Sequence, residues 1–264
     1  MQSIPVYLLA ALASMCLFGC SGRPAAPEDI PPPPAVSDVE EGADVTVNTK
    51  IADVMADPAK ADTGLFFFKG EEGAPFAICN AGGGFAYVGA MHDSFPHTLE
   101  LSKKGYNAFA LIYRPGAQTA CEDLARAISF VFAHAEELGV STDCYSLWGG
   151  SAGARMAAYL GSLGPAAFGG DDLPRPGTVV MQYTGHSEYN PDGEPPTYVC
   201  VGDNDGIASW RTMERRVETL SAMGVDTEFH HYPGLGHGFG LGAGTAAEDW
   251  FDDAVAFWEK QINQ

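Results

Sequence analysis

The stretch Ser146-Leu147-Trp148-Gly149-Gly150-Ser151-Ala152-Gly153-Ala154 constrains the fold more than any other part of the chain. Residues 145–148 read as a buried strand. Ala154-Arg155-Met156-Ala157-Ala158-Tyr159-Leu160 are helix formers. The turn between them spells G-x-S-x-G with Ser151 at its centre. A turn this sharp brings backbone against backbone, and glycine two residues to either side is what permits it. Its geometry raises one hydroxyl at the end of a sheet, where a base can reach it. The motif alone arises by chance in a chain with 32 glycines; the strand before it and the helix after it give it weight.

The rest of the chain repeats that alternation from Asp44 onward. Residues 45–47, 64–69 and 75–79 are strand candidates, rich in β-branched and aromatic side chains. Residues 95–103 look helical, and 106–113 form a short apolar strand closed by Arg114-Pro115-Gly116. Residues 120–138 carry Leu124, Ile128, Val131, Phe132, Ala135 and Leu138 at helical spacing. Strands are expected at 145–148, 178–183, 197–201 and 227–232, and helices at 152–163, 209–223 and 246–262. Gly224 stands where the helix 209–223 would be capped. Strands alternating with helices predict a mostly parallel central sheet with helices on both faces, and such sheets form their sites beyond the carboxyl ends of the strands.

The first 43 residues do not belong to that domain. Residues 4–18 are apolar but shorter than the roughly twenty needed to span a bilayer, so they read as a signal-peptide core, with the signal over residues 1–19. Leu17-Phe18-Gly19-Cys20 resembles the lipobox of bacterial lipoproteins, although no Lys or Arg precedes the apolar run and Phe18 is bulky for the pattern. The resemblance implies export, cleavage before Cys20 and lipidation there. Residues 20–43 hold Pro24, Pro27 and Pro31 to Pro34, a composition that stays extended and suits a tether. The folded domain is then 44–264.

Composition narrows the partners. Lys plus Arg is 14 against 34 for Asp plus Glu, a net charge of −20. Nucleic acid needs basic side chains for its phosphates, so it is excluded as a partner, as is docking on anionic lipid through protein charge. Any membrane contact would come from the lipid anchor alone. The cysteines at 16, 20, 79, 121, 144 and 200 form no C-x-x-C pair and no metal-ligand spacing, so no metal is expected. Cys79 and Cys200 lie in apolar runs as small core residues. A Cys121–Cys144 pairing stays open.

A serine hydroxyl needs a base to remove its proton, and the base is best oriented by a carboxylate. Val201-Gly202-Asp203-Asn204-Asp205-Gly206-Ile207 follows a strand and supplies two acids. Tyr232-Pro233-Gly234-Leu235-Gly236-His237-Gly238-Phe239-Gly240 follows the last strand and supplies a histidine flanked by glycines, as a loop that lets an imidazole swing would have. Of the other histidines, His92 and His186 could line a groove. His230 and His231 are strand neighbours pointing to opposite faces, which argues against a zinc site with His237. Gly82-Gly83-Gly84 after an early strand exposes amides that could hold an oxyanion.

The chain resembles the α/β-hydrolase superfamily and, within it, small esterases similar to bacterial acetyl-xylan and feruloyl esterases. The resemblance runs through NAGGGFAYVG, GYNAFALIYRPG, LWGGSAGARMAAYLG, GDNDGIASWRTMERRV and YPGLGHGFGLGAGTAAEDWFDDAVAFWEKQ, most of the chain from about Pro75 onward. It departs from the usual His-Gly-Gly-Gly in having Ala81 where that histidine would stand. It implies an α/β-hydrolase fold, a triad of Ser151, Asp205 and His237, and oxyanion amides from Gly83, Gly84 and Ala152. Asp205 is favoured because Asp-Gly-Ile resembles the superfamily's acid loop, with Asp203 as the second candidate. The implied reaction is hydrolysis of a small-molecule or polysaccharide acyl ester through an acyl-enzyme, with no cofactor needed. Only 54 residues separate Ser151 from Asp205, which leaves no room for a large cap domain and favours short acyl groups. A serine peptidase of the same fold and a non-catalytic surface lipoprotein are the competing expectations. Oligomeric state is not legible.

Overall fold

The computed structural model describes Asn48–Thr49 and residues 63–264. The signal segment, Cys20, the tether and the strand expected at 45–47 lie outside the described residues. Eight strands among those described form one sheet: β1 (Asn48–Thr49), β2 (Gly64–Phe68), β3 (Pro75–Asn80), β4 (Asn107–Ile112), β5 (Ser141–Gly150), β6 (Thr178–Gln182), β7 (Thr197–Gly202) and β8 (Thr227–Tyr232). Their order is β1-β2-β4-β3-β5-β6-β7-β8. The pairs β1–β2 and β2–β4 are antiparallel, and every other pairing is parallel.

The helices are α1 (Ala90–Asp93), α2 (Phe95–Lys103), α3 (Ala117–Ala133), α4 (Ala135–Leu138), α5 (Ala152–Leu163), α6 (Trp210–Ala222) and α7 (Trp250–Ile262). The period-2 alternation of the strands divides them between two faces. Ala77, Cys79, Trp148, Val180, Tyr198 and Cys200 point to one face and pack with Leu101 of α2 and Trp250, Phe251, Phe257 and Trp258 of α7. On the other face Phe76 stacks on Tyr145 and meets Phe132 of α3 edge-on. Trp210 of α6 stacks there on His231, while its neighbour His230 stacks on Tyr198 on the α7 side. Burying both faces is what lets the central strands be apolar throughout.

The expected helix 120–138 begins at Ala117 and is two pieces, broken at His134, where φ is −113°. Its apolar spacing runs through the break, so periodicity alone could not show it. Residues 246–249 are turn, and α7 begins only at Trp250. α6 stops where expected, with Gly224 at φ 85°. Between Ser151 and Asp205 lie α5, a short 3-10 turn (Pro165–Phe168), β6 and β7, with no inserted cap domain.

Candidate active site

Ser151 stands between β5 and α5 with φ 51° and ψ −111°, a conformation that an L side chain rarely adopts and that costs about 1–3 kcal/mol. The surroundings over-determine it. A Cβ on Gly149 would lie 2.2 Å from the carbonyl carbon of Gly153, and one on Gly153 would lie 2.0 Å from the oxygen of Asn80. Both glycines are therefore required by backbone-to-backbone contact. The Ser151 N–H donates to the carbonyl of Gln182 at 3.0 Å, pinning the turn to the end of β6.

The hydroxyl of Ser151 lies 2.9 Å from Nε2 of His237, and Nδ1 of His237 lies 2.7 Å from Oδ2 of Asp205. The carboxylate is buried, at 1% side-chain exposure, and the imidazole is 18% exposed. The other oxygen of Asp205 accepts the N–H groups of Ile207 and Ala208, both at 2.8 Å. Oriented in this way, the carboxylate holds Nδ1 as the protonated nitrogen and leaves Nε2 able to accept the serine proton. Asp203 does something different: it accepts the Gly234 N–H at 2.5 Å, clipping its own loop to the histidine loop. That loop is held at further points. His92 Nε2 lies 2.7 Å from the carbonyl of Gly238, and Gln182 Nε2 and Trp250 Nε1 both donate to the carbonyl of Gly240. The glycines around His237 thus belong to a loop clamped at Gly234, Gly238 and Gly240.

The loop after β3 brings its amides to the same place. A Cβ on Gly82 would lie 3.1 Å from Cβ of Ser151, so the loop touches the serine directly. Most of its backbone groups are engaged. The Ala81 carbonyl accepts the Tyr113 hydroxyl at 2.7 Å, and the Gly82 carbonyl accepts the Gly89 N–H at 2.9 Å. The Gly82 N–H donates to Asp93 Oδ2 at 2.9 Å. The Gly83 carbonyl accepts from Ala86 and Tyr87. The N–H groups of Gly83 and Gly84 have no acceptor among the described residues. Ala152 opens α5, so its N–H lacks a preceding turn to bond. Three donors with nothing to donate to, beside an activated hydroxyl, are what an oxyanion requires.

Asp93 and Tyr183 were not singled out by the sequence. Asp93 is buried on α1, and its second oxygen accepts the Tyr183 hydroxyl at 2.7 Å. Tyr183 follows β6 with φ 32°, and its ring meets His237 edge-on at 5.1 Å between centroids. Burial, then the charge of Asp93, push its phenol well above the ordinary tyrosine value, so it stays a donor. Of the two groove candidates, His92 is the one at the histidine loop. His186 is buried against Tyr159, and burial, then the charges of Arg216 and Arg155, hold it well below the usual imidazole value. Cys121 is buried on α3 and Cys144 lies on β5, both as free thiols.

A strand order that places a turn-borne serine after β5, an aspartate after β7 and a histidine after β8 is that of the α/β-hydrolase fold. A family model described as BD-FAE matches residues 67–172. No curated protein matches the chain. Among solved structures it is similar to MGS-M1, an alpha/beta hydrolase from a Medee basin deep-sea metagenome library. Identity there is 23%, coverage 76% of this chain and 93% of that one, and TM-score 0.64. It is similar also to an acetyl ester-xyloside bifunctional hydrolase from Caldicellulosiruptor lactoaceticus (23% identity; 77% and 90% covered; TM-score 0.66). A thermophilic esterase of Thermogutta terrifontis gives 20% identity, 84% and 92% coverage and TM-score 0.64.

Proposed function

We propose that the chain is a serine esterase that removes short or aromatic acyl groups from polysaccharide or related small esters. The observation that carries this reading is the unbroken line from the Ser151 hydroxyl through His237 to the buried Asp205, at 2.9 and 2.7 Å. Ser151 attacks the ester carbonyl as His237 takes its proton, and the amides of Gly83, Gly84 and Ala152 hold the oxyanion. His237 returns the proton to the leaving alcohol. Water, deprotonated by the same imidazole, then releases the acid and frees the serine. The xyloside-hydrolase neighbour and the BD-FAE match support a carbohydrate ester as substrate. The absence of an inserted cap between Ser151 and Asp205 supports a bulky alcohol with a small acyl group. Export with lipid attachment at Cys20, the domain held out on residues 21–43, would put the enzyme at the cell surface beside such a polymer.

The test is a panel of acetylated and feruloylated oligosaccharides beside aryl acetates and palmitates, run on the wild type and on Ser151→Ala. Turnover of acetyl or feruloyl sugars that vanishes in Ser151→Ala is the expected result. Palmitoyl esters turned over as well as acetyl esters would overturn the short-acyl assignment, and turnover surviving in Ser151→Ala would overturn the nucleophile.

A further inference from the structure

Ala81 and the glycines after it bring no polar side chain of their own to the oxyanion loop, so the loop must be held from elsewhere. Two side chains tie it from outside: the Tyr113 hydroxyl donates to the Ala81 carbonyl at 2.7 Å, and the Asp93 carboxylate accepts the Gly82 N–H at 2.9 Å. The second tie bears directly on the site. Gly82 is wedged between Asp93 and the nucleophile: a Cβ placed on it would lie 2.6 Å from Asp93 Oδ2 on one side and 3.1 Å from Ser151 Cβ on the other. The two amides without acceptors, Gly83 and Gly84, come next in the chain. Fixing the Gly82 peptide therefore sets where they point.

Asp93 is poorly placed to act in any other way. It is 8% exposed, and among the described residues no lysine or arginine pairs with it; the nearest cation candidate is His92, at 3.8 Å. An isolated buried carboxylate is costly unless donors satisfy it. Both of its oxygens are satisfied, one by Gly82 and one by the Tyr183 hydroxyl at 2.7 Å. A hydrogen bond from an amide to a carboxylate is shorter and stronger than one to a neutral acceptor. Tyr183 extends the tie to the base. Its ring meets His237 at 5.1 Å and Phe239 at 4.8 Å, and its hydroxyl occupies the space where a Gly150 side chain would be. One carboxylate thus fixes the oxyanion loop and, through a single phenol, packs against the base.

We infer that Asp93 is a positioning residue for the ester reaction: it orients the Gly83 and Gly84 amides through the Gly82 peptide, and Tyr183 locks it in place. This rests on the esterase reading above. Its effect belongs to the transition state, because the amides gain most when the carbonyl oxygen becomes an oxyanion.

The experiment compares wild type, Asp93→Asn, Tyr183→Phe and Ser151→Ala on p-nitrophenyl acetate and its thiono counterpart, in which sulfur replaces the carbonyl oxygen, with a thermal melt of each. In Asp93→Asn the amide nitrogen of the new side chain replaces one acceptor, and kcat is expected to fall about tenfold to a hundredfold with KM changed little. Tyr183→Phe, which removes one oxygen and leaves Asp93 intact, is expected to fall by less than that. In both variants the preference for the oxygen ester over the thionoester should narrow, because the larger, weakly accepting sulfur never used the amides well. A purely structural role would lower activity without moving that preference. An unchanged preference, or a wild-type kcat in the folded variants, overturns the inference. Should Asp93→Asn not fold, Tyr183→Phe decides. A wild type that turns over no ester, with Ser151 unlabelled by a fluorophosphonate, overturns the esterase reading and this inference with it. An active wild type with a dead Ser151→Ala and unaffected Asp93 and Tyr183 variants overturns only the inference.

Discussion

The turn that carries Ser151 and the loop that carries His237 deliver their side chains to the same 2.9 Å contact by different physical means. The serine turn is fixed by contact. Gly149 and Gly153 have backbone atoms 2.2 and 2.0 Å from where a Cβ would sit, and the strained Ser151 backbone has nowhere to relax. Around His237 there is room: a Cβ on Gly234 or Gly238 would meet nothing within 4 Å. That loop is fixed by polar groups reaching in from other elements, namely Asp203, Asp205, His92, Gln182 and Trp250. The serine turn should therefore be sensitive to any added atom, and the histidine loop to any lost partner.

The largest effect tests the base. Asp205→Asn keeps the acceptor for Ile207 and Ala208 but presents an N–H to His237, which turns the imidazole to the tautomer that cannot take the serine proton. A fall in kcat of about 10⁴ is expected, with the fold intact. Asp203→Asn, two residues away and bonded only to the Gly234 amide, should lose less than about tenfold. Equal losses in the two, measured on one aryl acetate, would break the distinction between orienting the base and clipping its loop. Next comes the turn. Gly153→Ala forces a methyl into the Asn80 carbonyl, and since that partner is backbone of β3 it cannot step aside. Destabilisation of at least about 3 kcal/mol, or failure to fold, is expected in a denaturant titration. A variant with wild-type stability would show that the turn has slack.

The same contrast explains what the sequence could disclose. Ser151, Asp205 and His237 were legible because each lies in a glycine-marked turn immediately after an apolar run, and a sheet gathers such turns at one end. Which of Asp203 and Asp205 meets the imidazole was not legible from spacing, because two acids in one loop differ only in the direction their side chains take. Asp93 and Tyr183 were illegible for another reason. Their bonds to Gly82 and to each other span 11 and 90 residues, and neither stands in a motif or a glycine-rich turn. The helix break at His134 escaped because Leu138 continues the apolar period across it. Strand and helix order follows from local pattern, whereas polar support around a site follows from contacts that exist only after the chain has closed.

Acid should separate the two regions. His97 is fully buried below the histidine loop between Trp250 and Phe251, and neither ring nitrogen has a hydrogen-bond partner. Burial lowers its pKa to about 4, against the opposing pull of the Asp93 charge, with His92 adding to the lowering. The unfolded chain takes up a proton there near the ordinary value of about 6.5, and the folded one only near 4. Stability is therefore complete above the ordinary value and is lost as pH falls through that window, by up to about 3 kcal/mol from this residue. The buried His186 acts with the same sign. His97→Leu should flatten the pH dependence of the urea midpoint. In the wild type, amide protection relative to the intrinsic exchange rate at each pH should fall first at 236–242 and last at 149–153 as the pH is lowered from 7 to about 4.5. The reverse order would contradict the assignment of polar support to one and contact to the other.

The smallest effect is the most discriminating. Gly238 has open space around it but sits at φ 73°, so Gly238→Ala meets no clash and only the left-handed backbone penalty, about 1 kcal/mol. The His92 bond to its carbonyl is untouched by the change, and His237 should stay in line with Ser151. A modest fall in melting temperature with kcat within about twofold is expected. If alanine there were as damaging as at Gly153, the histidine loop would be as tightly packed as the serine turn, and the difference between positioning by contact and positioning by hydrogen bond would vanish.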